Sequence, residues 1–196
     1  MKIISFYPKS QFVMHIFYSL QGFKSFKILL ALYLLFQQPI SMQAQTLNTV
    51  QNVDLARYAG TWYEIASFPQ RFQKGCYNTS ATYTLTGKGY VIVENRCNKD
   101  SFTGKLSYIK GKAFVEKESG NAKLKVQFFW PFRGKYWIID LADDYSYAVV
   151  GHPNRQYLWI LSRTPMMNDM VYKEILLRLI NQGFDTNKLQ TTQQKI

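Results

Sequence analysis

From residue 60 onward the chain is built of short runs in which apolar and polar residues alternate, each closed by turn-forming residues. The runs are 60–67 (GTWYEIAS), 78–86 (NTSATYTLT), 90–95 (YVIVEN), 106–115 (LSYIKGKAFV), 123–129 (KLKVQFF), 136–141 (YWIIDL), 145–150 (YSYAVV) and 157–161 (YLWIL). A period of two, with enrichment in Val, Ile, Tyr, Phe and Trp, is the signal of half-buried β-strands. Eight such runs, spaced roughly 10–15 residues apart, predict an antiparallel meander, hence a sandwich or barrel.

One segment breaks the period. After Thr164-Pro165, Asn168 can cap a helix whose apolar residues Val171, Ile175, Leu176, Leu179 and Ile180 recur at spacings of three and four. Gly183 sits where a left-handed stop is expected. The stripe predicts a helix packed on the outside of the sheet. A shorter helical turn is expected over 53–58.

Residues 1–44 have a different composition. Lys24 and Lys27 precede an apolar run from Ile28 to Phe36, followed by a polar, small-residue stretch through Ser41 and Ala44. That order is the order of a secretory signal, and the run is far short of the ~20 residues that span a bilayer. A membrane anchor left uncut is the alternative. Two domains of meaning result: a targeting segment over 1–44 and one folded domain over 45–196. The expected location is outside the cytoplasm: periplasm, outer membrane surface or secreted.

Four lysines and no acids lie in residues 1–44, so the remainder carries 20 basic and 12 acidic residues. The basic residues are scattered singly, as on the solvated faces of strands, which argues against nucleic acid and suits anionic lipid headgroups. Cys76 and Cys97 are the two cysteines. In an oxidising compartment an even pair reads as a disulfide. A hairpin turning near Thr86-Gly87 would set them opposite one another, within bonding range. Two free thiols remain the alternative.

At GTWYEIASFP, preceded by Asp54-Leu55-Ala56-Arg57-Tyr58, the chain resembles the first signature of the lipocalins, with Gly60 and Trp62 as its G-x-W core. NTSATYTL, KLKVQFFWPFRGKYWIIDL, DYSYAVVGHP, YLWILSRTP with Arg163, and NDMVYKEILLRLINQGFD follow at family spacing, over about residues 54–188. Within the family the likeness is to bacterial and apolipoprotein D-like members. The resemblance implies an all-β, eight-stranded up-and-down barrel with one C-terminal helix outside, and Arg163 stacked across Trp62 at the closed end as a structural pair.

It also implies a cup for a small hydrophobic ligand. Parity along the strands then proposes the lining: Ala81, Tyr83, Val91, Val93, Ile109, Ala113, Val126, Phe128, Tyr136, Ile138, Tyr157 and Trp159. Such a lining suits a fatty acid or lysophospholipid; a tetrapyrrole, retinoid or sterol is the alternative. The loops 67–75 and 129–135 should lie at the open end. Phe129, Trp130 and Phe132, flanked by Arg71, Lys74, Arg133 and Lys135, would form an entrance lip touching membrane lipid, or else fold down as a plug. A monomer or weak dimer is expected.

Chemistry on the ligand is not expected. His152, in the turn GHPN, has no nucleophile motif beside it, no His/Cys cluster suggests a metal, and no phosphate-binding glycine loop occurs. Glu64 can face inward, where a lone carboxylate more often accepts hydrogen bonds than acts as a base. A cavity cysteine acting as nucleophile would need Cys76 or Cys97 free. No cofactor is implied.

Overall fold

The alternating runs become eight antiparallel strands that close on themselves. In the computed structural model the described residues are 46–195, so the export segment expected over 1–44 lies outside them. The strands are β1 (Gly60–Ser67), β2 (Cys76–Leu85), β3 (Val91–Lys99), β4 (Leu106–Val115), β5 (Lys123–Gln127), β6 (Gly134–Leu141), β7 (Tyr147–Gly151) and β8 (Leu158–Ser162). Each pairs with the next, and β1 pairs with both β8 and β2, which completes the barrel. The helix α1 (Leu55–Tyr58) precedes it, capped by the Asp54 carboxylate, and α2 (Asp169–Asn181), capped by Asn168, follows. A two-residue strand, β9 (Gln190–Thr191), adds to β1. It is too short to show any period in sequence.

Two cores share one wall. Inside the barrel lie Trp62, Tyr83, Val93, Leu124, Ile138, Val150 and Leu161 among others, while Ile139, Val149, Leu158 and Ile160 face outward under Ile175 and Leu179 of α2. Strands β6 to β8 are therefore buried on both faces, which explains their nearly continuous apolar sequences. Arg178 of α2 ties the helix to the sheet, its Nε donating to Asp140 at 2.7 Å and its Nη2 to the Tyr147 hydroxyl at 2.9 Å. The expected stripe needs one correction. Ile180 is 53% exposed, because it falls to the flank of the Ile175–Leu179 line.

The cysteines are joined as a disulfide, with Cα atoms 5.4 Å apart, though not by the expected register. Strand β3 runs four residues past Asn95, and Leu85 pairs with Val91, so the turn spans 86–90. A bulge between Tyr77 and Ser80, with Asn78 in the left-handed region at φ 55, shifts the pairing by one residue, so that Cys76 faces Lys99 instead of Asp100.

The closed end is built around Trp62. Its Nε1 donates to the Tyr58 carbonyl at 2.8 Å, and the Arg163 guanidinium lies 3.7 Å from its ring centroid. Arg163 also donates to the carbonyls of Thr61 (3.0 Å) and Arg57 (2.6 Å), so one side chain spans β1, the last turn of α1 and the end of β8. Gly60 turns the chain here at φ +95, a conformation that side-chain-bearing residues rarely adopt.

Replacing Ile175 with Ala should cost about 2–4 kcal/mol of unfolding free energy, whereas Ile180→Ala should cost less than about 1. Urea denaturation of the two variants measures the difference, and equal losses would contradict the assignment of the buried face.

Candidate functional site

Above the Trp62 layer the barrel holds a cavity of about 570 Å³, within the usual range for a small-molecule site. Of the residues expected to line it, Ala81, Tyr83, Val93, Ile109, Val126, Phe128, Tyr136, Tyr157 and Trp159 do so. Val91, Ala113 and Ile138 do not. They point inward as parity requires, but lie below the cavity floor in the packed base. Depth along the barrel, unlike facing, leaves no mark in an alternating sequence.

Gly111 sets the shape of one wall. A Cβ there would fall 2.7 Å from the Phe128 ring and 2.7 Å from the Gln127 carbonyl oxygen, so the missing side chain is what seats Phe128 in the cavity.

The floor is polar. Tyr136 hydroxyl bonds at 2.8 Å to both Tyr58 and Tyr83 hydroxyls, three phenols in a row. Burial pushes Tyr58 and Tyr136 well above the ordinary phenol range and Tyr83 up to about 12. All three are therefore neutral donors at any physiological pH.

Higher on the wall, Glu64 is buried and faces the cavity. Its carboxylate accepts from Ser67 Oγ (3.0 Å), Gln73 Nε2 (2.6 Å) and Thr192 Oγ1 (2.6 Å). Gln73 in turn accepts from Trp159 Nε1 at 3.1 Å. The role is structural. β1 and β2 pair only over Gly60–Tyr63 and Ser80–Tyr83, and above that they diverge. Residues 190–195 enter the gap: Gln194 Nε2 donates to the carbonyls of Glu64 and Thr79, both at 2.8 Å, and Asn78 N donates to Gln193 O at 2.7 Å. Thr192 lies 128 residues from Glu64, a separation that no local pattern in the chain records.

The mouth lies where the loops at 67–75 and 129–135 were expected. Phe72, Phe129 and Phe132 border the cavity and are 67%, 69% and 77% exposed, and Trp130 beside them is 86% exposed. They stand outward as a lip and do not fold into the barrel as a plug. Phe72 belongs to this lip and was missed, because it sits in a short helical turn (Arg71–Gln73) with no periodicity of its own. His152 also borders the mouth, its Nδ1 2.6 Å from Asn154 Oδ1 within its own turn.

A closed antiparallel barrel with an apolar cavity open at one end and a helix against its outer wall defines a small-ligand-binding barrel. Residues 53–194 match the sequence profile described as a lipocalin-like domain. The chain is 44% identical over 148 residues to the outer membrane lipoprotein Blc of Escherichia coli (strain K12), covering 75% of this chain and 82% of that one. It is 40% identical over 161 residues to temperature-induced lipocalin-1 of Arabidopsis thaliana, covering 78% and 85%. Insecticyanin from the tobacco hornworm Manduca sexta superposes with a TM-score of 0.63 over 78% of this chain and 86% of that one, at 21% identity, a likeness of fold. The chain belongs to the lipocalin family, whose members bind small hydrophobic ligands.

The tyrosine floor makes stability pH-dependent at the alkaline end. Phenols whose native pKa is raised lend stability that is complete below the unfolded value of about 10 and is lost as pH rises through the native value. The thermal midpoint should therefore fall between about pH 10 and about 12, the native Tyr83 value, and Tyr83→Phe should flatten that fall. A slope unchanged by Tyr83→Phe would show that this phenol is not held neutral.

Proposed function

We propose that the protein is an exported carrier of single-chain amphiphiles, fatty acids or lysophospholipids, which it binds in the barrel and does not transform. The observation that carries this reading is a cavity of acyl-chain calibre that opens through a ring of exposed aromatics. Its wall, from Ala81 and Val93 to Val126, Phe128 and Trp159, is apolar, and burying a chain methylene there is worth about 0.8 kcal/mol. Arg71, Lys74, Arg133 and Lys135 flank the lip, where they suit a phosphate or carboxylate headgroup held at the water boundary. The disulfide fits an oxidising compartment, in keeping with the secretory pattern of residues 24–44.

The lip gives the carrier a way to load. Four exposed aromatics amid basic residues match an anionic lipid surface in both polarity and charge. On this reading Phe129, Trp130 and Phe132 enter the headgroup layer while the cavity faces the bilayer.

Native mass spectrometry of the protein expressed with export, followed by organic extraction, should show a one-to-one adduct that releases a fatty acid or lysophospholipid. Release of a pigment or sterol would replace the acyl reading. An empty barrel that also rejects fluorescent fatty-acid probes at micromolar concentration would sink the carrier reading. The triple change Phe129→Ser, Trp130→Ser, Phe132→Ser should weaken sedimentation with anionic vesicles about tenfold or more, with the thermal midpoint unchanged. Undiminished binding would remove the lip from the loading step.

A further inference from the structure

Three hydroxyls at the cavity floor share two hydrogen bonds. Each phenol has one proton, so the Tyr58–Tyr136–Tyr83 row uses two donors and leaves one O–H over. Among the described residues none of the three hydroxyls has another partner. The Arg163 guanidinium biases which proton is left. It lies over Trp62, whose ring packs at 5.0 Å from that of Tyr58, and so it acts on the Tyr58 end of the row. A cation draws the oxygens toward itself and turns the protons away, and hydrogen bonds in a row polarise one another. In the order this favours, Tyr58 donates to Tyr136, Tyr136 donates to Tyr83 and the Tyr83 O–H is left over; the two oxygen–oxygen contacts themselves allow either direction. Tyr83 borders the cavity and Tyr58 does not, so the spare donor faces the ligand space.

A complementary acceptor lies one layer higher. Asn95 faces inward beside Ala81, two residues along β3 from Val93, the partner of Tyr83. The residue borders the cavity, and its Oδ1 is buried with no hydrogen-bond partner among the described residues. Such an atom costs free energy unless something pairs with it.

We propose that Tyr83 and Asn95 form a polar end-stop that selects ligands carrying an uncharged oxygen, above all a hydroxyl, at the end that enters the barrel first. A hydroxyl there accepts from Tyr83 and donates to Asn95, satisfying both. A carboxylate is disfavoured at this depth, because burying a charge beside neutral phenols costs far more than burying a hydroxyl. The headgroup stays at the mouth, and the favoured ligand is oxygenated at both ends. The inference rests on the cavity being the ligand site.

The test compares straight-chain fatty acids with their ω-hydroxy counterparts over a ladder of chain lengths, by displacement of a fluorescent fatty acid from the wild type, Tyr83→Phe and Asn95→Leu. At the length that reaches the floor, the wild type should prefer the ω-hydroxy acid by about five- to tenfold, the worth of one or two net hydrogen bonds. Tyr83→Phe and Asn95→Leu, each with a native near-ultraviolet circular dichroism spectrum, should each lower that ratio to about twofold or less. Plain acids that bind while no ω-hydroxy acid binds tighter at any length would overturn the end-stop and leave the carrier reading standing. A preference that persists in both variants would overturn it too. Failure of every chain to bind the folded wild type would instead overturn the carrier reading.

Discussion

A guanidinium laid across an indole holds the rest of this structure in place. Arg163 cannot reach Trp62 unless β8 ends where β1 begins, and its bonds to the Thr61 and Arg57 carbonyls fix α1 against the barrel base. With Trp62 sealed and its Nε1 bonded to Tyr58, the base is a packed core of inward residues. Such a contact, with the guanidinium partly exposed, is worth about 0.5–2 kcal/mol. Its larger effect is geometric: the space that remains unfilled lies entirely toward the other end.

The same cation reaches into the cavity through chemistry instead of contact. Tyr58 packs on Trp62 and begins the row of hydroxyls that ends at Tyr83, so the charge that seals the base also orients the floor. The site is accordingly layered. Neutral phenols lie at the bottom, an apolar sleeve runs from Ala81 to Trp159, a hydrogen-bonded carboxylate at Glu64 braces the wall, and aromatics mixed with basic residues form the rim.

Much of this was legible in the chain because period two is a direct record of facing. Eight strands, the late helix with its Asn168 cap and Gly183 stop, and the inward set could be read from alternation and spacing. What escaped has physical reasons. Val91, Ala113 and Ile138 face inward yet belong to the base, since height along the axis has no period. The disulfide joins strands whose register lies two residues from the one a turn at Thr86-Gly87 implies, because the turn spans 86–90 and turn residues mark its presence better than its centre. Phe72, Gln73 and Gln194 entered the site from a helical turn and a tail, where no repeating pattern exists to be read. Gly111 gives no signal at all, because its contribution is the room it leaves for Phe128.

The seam between β1 and β2 has a consequence in time. Glu64 lies among the first wall residues to be synthesised, and the groups that brace it, Thr192 and Gln194, follow 128 and 130 residues later. Contacts of such long sequence separation are among the slowest to form. A chain still emerging can pair β1 with β2 only over their lower halves, which leaves a slot in the side of the cup. Until residues 190–195 dock, Glu64 and the upper part of the β1–β2 seam lack these partners, so the first strand of the wall is also the last to be fully braced.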